Sequence, residues 1–152
     1  MITAIRYKGN RAKVTENGED LMILASSSSV PVELADADNK LNIVSDFEEG
    51  EIEPQAVKNV KFSKNCCVMM NGDVNFIFAS SQRENREFII KENHTLIHAW
   101  ESGDNVKDKA FEQIKNNKVN SVDVYVKNAE GKDNRVSHMG EILAVSINLN
   151  GA

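Results

Sequence analysis

The strongest local signal in the chain is a dipeptide that favours a tight hairpin. Two runs of strand-forming residues, 66–70 and 73–79, flank Asn71-Gly72. Asn-Gly readily takes the positive φ values that both central positions of a two-residue type I′ turn require. The sequence therefore predicts an antiparallel hairpin over 66–79, which places this part of the chain in a β-sheet.

Period-two alternation of apolar residues predicts further strands. Residues 3–7 and 12–14 read as two antiparallel strands joined by a tight connection, and 30–34 and 41–47 read as a hairpin across a polar turn at 35–40. Single strands are expected at 21–25, 60–62, 122–126 and 143–149, and 128–134 is expected to be a polar loop. Alternation of this kind is typical of antiparallel strands with one buried face and one face in water.

Helical periodicity is clear at one place and ambiguous at another. Val106, Ala110 and Ile114 recur at helical spacing behind possible cap residues, which predicts a short amphipathic helix near 105–116. Residues 82–100 fit either a helix that begins at a capping box or two strands around Asn93-His94. We favour the hairpin, and the helix stays open as an alternative.

Length and composition indicate a globular fold. The chain has 152 residues, 41% of them hydrophobic and 27% charged, which suits one domain over 1–152 with a core of its own. We expect a mainly β fold of α+β character, an antiparallel β-sandwich or distorted barrel with the one helix near 105–116. Apolar runs are too short for a membrane segment, and the first residues lack a secretory pattern, so we expect a cytoplasmic protein.

Charge is concentrated in one stretch. The formal net charge is −5, which argues against nucleic acid as a partner. Residues 33–53 hold eight acids and one base, a local balance of −7. This stretch could be a solvated edge, a docking surface for a basic protein or a cation site. The candidate partner-binding residues are Asp46, Glu48, Glu49, Glu51 and Glu53.

Residues that could carry catalysis or bind a metal are few. Cys66 or Cys67 together with a histidine, His94, His98 or His138, could form a thiol hydrolase, but thiols in an apolar strand usually pack. His94 and His98 would share a face as a metal pair on a helix, whereas on a strand their Cα atoms lie roughly 13 Å apart. Residues 36–40 begin like a calcium loop but lack its glycine. We assign no catalytic residue, metal or cofactor.

These observations favour a non-enzymatic module that binds a protein or assembles with itself. By analogy of fold alone, a virion component of a bacterial virus, of the tail-tube or head-accessory type, is the leading expectation. The alternative is a small acidic inhibitor or immunity-type protein that binds a basic partner. A small Cys/His hydrolase is the second alternative.

Overall fold

The fold is described from a computed structural model, which covers residues 1–14, 20–24, 29–58, 60–80, 89–91, 94–98 and 105–150. It is mainly β with a short amphipathic helix, as the sequence predicts. The strands are β1 (Ile2–Lys8), β2 (Ala12–Val14), β3 (Asp20–Leu24), β4 (Val30–Ala37), β5 (Glu48–Ile52), β6 (Lys61–Met70), β7 (Asp73–Ser80), β8 (Ile89–Lys91), β9 (His94–His98), β10 (Val119–Lys127), β11 (Glu130–Lys132), β12 (Arg135–His138) and β13 (Glu141–Leu149). The helices are α1 (Pro54–Lys58) and α2 (Asn105–Asn116).

The described strands form two sheets. The larger has nine strands in the order β11-β12-β5-β4-β1-β10-β13-β6-β7, and the smaller has four in the order β2-β3-β9-β8. The larger sheet is not closed into a barrel. Its pairings are antiparallel except for β12 with β5 and β13 with β6. Strands β10 to β13 act as one long hairpin whose tip, β11–β12, bends over to pair with β5.

The hairpin at 66–79 is confirmed. Asn71 and Gly72 have φ values of 54° and 70°, as a type I′ turn requires. The Asn71 side chain also accepts a hydrogen bond from the Leu149 backbone N–H at 2.9 Å, which ties the turn to β13. Pairing then passes from Met70↔Asp73 to Met69↔Ile77, so residues 74–76 bulge out of the ladder.

Two predicted pairings are wrong. Strand β1 does not form a hairpin with β2, because β4 and β10 occupy both of its edges, and β2 pairs with β3 in the smaller sheet. The partner of β4 is β5 rather than 41–47, which contributes only the bridge Ala37↔Ile43. Residues 38–47 instead form a loop that packs Leu41 and Phe47 on one face of the large sheet.

The prediction of one wet face is also wrong for the central strands. Every residue from 121 to 126 in β10 is buried. The main core holds the valines of β10 together with residues of α1 and α2. Tyr125 points to the opposite face, where Ala4, Met69 and Ala144 pack beside the 38–47 loop. Alternation therefore persists in the central strands, but both of their faces are covered.

Of the remaining predictions, the helix and the described part of the hairpin are confirmed, and the loop at 128–134 differs from the structure. Helix α2 is confirmed, with Ala110, Phe111 and Ile114 buried. The hairpin interpretation of 82–100 is confirmed in its described part, since β8 pairs antiparallel with β9, while 81–88, 92–93 and 99–100 lie outside the described residues. The expected loop at 128–134 is wrong for Glu130–Lys132, which form β11, while the chain turns at Asp133 and Asn134 with φ of 53° and 59°.

Candidate functional site

The five predicted partner-binding residues lie on and around β5. Glu48, Glu49 and Glu51 are in the strand, Asp46 precedes it in the 38–47 loop, and Glu53 follows it before α1. Side chains alternate along a strand, so Glu49 and Glu51 share one face, while Glu48 lies on the face that carries the buried Ile52. The structure therefore distributes the acidic run over two faces of an outer part of the sheet.

Arg135 neutralises two of these five carboxylates. It lies beside β5 on the parallel strand β12, in register with Glu51. Its Nη1 is 3.3 Å from Glu51 Oε2 and its Nε is 3.5 Å from Glu53 Oε1. Sequence reasoning missed this cation, because Arg135 lies more than 80 residues away in the chain, immediately after the expected loop at 128–134.

The other three carboxylates follow an exposed apolar pair closely in the chain. Among the residues that the structure describes, no Lys or Arg lies within ion-pair distance of Asp46, Glu48 or Glu49. Ile43 is 36% exposed and Val44 is 65% exposed, a few residues before them in the chain. We call Ile43, Val44, Asp46 and Glu49 the acidic–apolar surface, because Glu48 lies on the opposite face of β5.

The loop that presents Ile43 and Val44 is firmly held. The Val44 N–H donates to the Asp36 carbonyl at 3.0 Å, and the Asp36 N–H donates to Ser45 Oγ at 3.1 Å. Asp38 organises the turn, because its Oδ1 accepts from the backbone N–H groups of Lys40 and Asn42. These contacts fix the backbone before any partner binds. The conformational entropy that this loop would lose on binding is therefore small.

Beneath the loop lies a charged pair on the sheet. Arg6 donates from Nε and Nη2 to the two carboxylate oxygens of Asp123 at 2.7 and 2.9 Å, and the side chain of Asp123 is only 4% exposed. The hydrogen bonds to Asp123 raise the pKa of Arg6, and burial opposes them in part. Phe47 lies over the guanidinium with its ring centroid 4.0 Å from Cζ, which anchors the end of the loop.

An open groove of 720 Å³ runs beside the acidic–apolar surface. Its charged lining mixes both signs: the cations are Lys8, Arg11 and Arg135, and the carboxylates are Glu33, Glu49, Glu51 and Asp133. Glu33 and Glu49 face each other across β4 and β5, and Lys8 Nζ lies 3.3 Å from Glu33 Oε2. This near balance of charge suits contact with another polar surface better than attraction of a single ion.

The cysteines are placed as packing residues. Cys66 is fully buried in the main core, and burial raises the pKa of its thiol well above the usual range. Burial also raises the pKa of Cys67, on the opposite face. A thiol acts as a nucleophile through its thiolate, which these environments disfavour. His138 is exposed on β12, and His94 and His98 lie at the two ends of β9 in the smaller sheet.

Metal and membrane signals are sparse. Because β9 is a strand, His94 and His98 do not have the helical spacing of a metal pair. Over the described ranges, no three His, Cys, Asp or Glu side chains come close enough together to hold a metal ion. Nor does any described helix have the length and apolar character needed to cross a membrane.

Comparisons with known proteins identify no relative: no family model, curated protein or solved structure matches this chain.

Proposed function

We propose that the protein is a non-enzymatic binding module that docks a basic protein through the acidic–apolar surface. The observation that carries this proposal is the position of Val44, which is 65% exposed on a firmly held loop. It is followed closely in the chain by Asp46 and Glu49, which have no cation within ion-pair distance among the described residues. An exposed apolar side chain with charges around it is the arrangement of a small interface with a polar rim.

Charge defines the expected partner. Asp46 and Glu49 are exposed, so they would attract Lys or Arg side chains and speed the first encounter. Ile43 and Val44 would then be buried against an apolar group of the same partner. Attraction between exposed charges is screened by salt, so we expect affinity to fall as ionic strength rises.

The placement of the cysteines supports a non-enzymatic role. The hydrolase alternative needs a thiol that can ionise and can be reached by substrate, and Cys66 is fully buried with a raised pKa. Cys67 is partly buried and its pKa is raised as well.

Self-assembly is the second candidate, and one end of the large sheet favours it. One end strand, β11, has three exposed residues that include Glu130 and Lys132, a pattern that discourages edge pairing. The other end strand, β7, has eight residues and begins with exposed Asp73, Val74 and Asn75. Copies that joined at β7 could form the larger assemblies that a virion component requires.

Solution mass separates the two candidates. By light scattering after size exclusion at low and at high salt, we expect 16.9 kDa under both conditions, the mass of one chain. A larger mass that persists at high salt would contradict docking of a different protein as the main role. In that case Val74→Asp at the start of β7 should restore the monomer, and Val44→Asp should not.

A further inference from the structure

A second cavity, of 400 Å³, opens where β1 ends and β10 begins. Its lining includes the side chains of three cations, one carboxylate and one serine: Arg6, Lys8, Lys118, Glu33 and Ser121. It shares Lys8 and Glu33 with the larger groove. The charges of the two linings differ, because cations outnumber carboxylates by three to one in this cavity and do not in the groove. The cavity does not include the acidic–apolar surface.

A chain of hydrogen bonds leads to this cavity from the β6–β7 turn. The Gly72 N–H donates to Ser146 Oγ at 2.7 Å, and the Ser146 hydroxyl donates to Asn148 Oδ1 at 2.9 Å. Asn148 Nδ2 then donates to Ser121 Oγ at 3.0 Å. Every bond in the chain points in the same direction, so each donor polarises the next.

The last proton of this chain has no acceptor in the described part of the protein. Ser121 is 4% exposed and accepts from Asn148, but among the residues that the structure describes nothing accepts from its hydroxyl. Buried hydroxyl groups almost always find a partner. Since Ser121 is among the residues that line the cavity, a ligand bound there would supply this acceptor.

Further donors stand around the same space. Arg6 uses Nε and Nη2 on Asp123, which leaves Nη1 without a partner within the described part of the chain. Lys118 is exposed, and no described carboxylate lies within ion-pair distance of it. Lys8 is held at 3.3 Å from Glu33, the one carboxylate of the lining. Asp123 and Glu33 each pair with one of these cations, so within the described part of the chain Lys118 is the cation of the lining that has no carboxylate partner.

We propose that this cavity binds a small oxyanion, a carboxylate or a phosphate, with one oxygen on the Ser121 hydroxyl and the others facing Arg6 and Lys118. Charge-assisted hydrogen bonds from a guanidinium and an ammonium group are the usual means of holding such groups. The site does not depend on the proposed docking function, because it shares no residue with the acidic–apolar surface.

The test is a titration of the full, ¹⁵N-labelled chain with inorganic phosphate and, separately, with acetate, at constant ionic strength. We expect saturable shifts of the backbone amide signals of Gly9, Asn120 and Ser121. Lys118→Met should weaken binding about tenfold, the loss of one charge-assisted contact. The matched control Lys132→Met, an exposed lysine of β11 outside the cavity, should bind as the unmodified chain does.

Ser121→Ala tests the hydroxyl directly, and the surface variant Lys118→Met keeps the test decisive if Ser121→Ala folds poorly. Tighter binding of phosphate would assign a phosphoryl group as the natural ligand, and tighter binding of acetate would assign a carboxylate. Shifts that grow linearly without saturation, or equal affinities for Lys118→Met and the unmodified chain, would overturn the proposal.

Discussion

Single residues in this protein are constrained by what lies across the sheet from them. Gly50 shows this most clearly, because a Cβ at that position would lie 2.5 Å from the Asn134 carbonyl oxygen and 2.7 Å from Leu34 Cδ1. The absence of a side chain lets the β11–β12 turn approach β5, where the Glu51 N–H donates to the Asn134 carbonyl at 2.9 Å. Arg135 thereby reaches Glu51 and Glu53.

Tyr7 provides a pH-dependent test of the main core. Burial raises its pKa to about 12, above the usual value near 10. The folded state therefore holds the phenolic proton more tightly than the unfolded state does, so the contribution of Tyr7 to stability is complete below pH 10 and is lost as pH rises towards 12. Each such proton contributes up to about 1.4 kcal/mol per pH unit.

We expect the free energy of unfolding in urea to be lower at about pH 11 than at pH 9.5, because this interval includes the pH range in which the unfolded state loses its phenolic proton first. Tyr7→Phe should make that decrease less steep, while Cys66 and Cys67, whose pKa values burial also raises, keep part of it. An unchanged slope in Tyr7→Phe would show that Tyr7 is not buried as described.

The sequence predicted the acidic residues of the candidate site, but it predicted neither their contact with Arg135 nor the position of Ser121. The acidic run was visible in the sequence because its members are neighbours in the chain. Its pairing with Arg135 was not, because that contact depends on a bend in a long hairpin. Ser121 carried no signal as a site, since its role depends on Asn148 and Ser146 in the adjacent strand.

Among the elements, α2 and β7 form a specific contact in the main core. Phe111 of α2 meets Phe78 of β7 edge to face, with ring centroids 6.2 Å apart and an interplanar angle of 81°. Phe78 is fully buried and Phe111 is 4% exposed. This contact holds the helix against the end strand of the large sheet.

Phe111→Ala should therefore destabilise the fold by about 3–5 kcal/mol, the usual cost of removing a buried aromatic ring. Urea unfolding followed by circular dichroism measures this change. Glu112→Ala, at the exposed neighbouring position on the same helix, is the control and should change stability by less than about 0.5 kcal/mol. Equal effects of the two substitutions would contradict the described packing of α2.

Local signals predicted elements well and pairing partners poorly. Asn71-Gly72 and the spacing of Val106, Ala110 and Ile114 act within a few residues, and both elements are present. The partners of β1 and β4 depend on strands far along the chain, so alternation could not select them. The hairpin β11–β12 did carry a signal, since Asp-Asn tolerates the positive φ of its turn.

At the scale of the whole molecule, one sheet links the parts that we propose to be functional. Strands β4 and β5 support the acidic–apolar surface, and β1 and β10 support the oxyanion cavity. The 38–47 loop connects them, because Phe47 packs on Arg6, which lines that cavity. The fold class could be predicted from alternation, but the covering of both faces of the central strands could not.

The most direct test of the docking surface is a titration of the ¹⁵N-labelled chain with a synthetic peptide that forms a helix with one lysine-rich and one leucine-rich face. We predict saturable amide shifts centred on residues 43–49, weaker binding at high salt and loss of binding in Val44→Asp. Val74→Asp, at another exposed valine, is the matched control and should bind normally. Shifts centred elsewhere, or unchanged binding by Val44→Asp, would contradict the account.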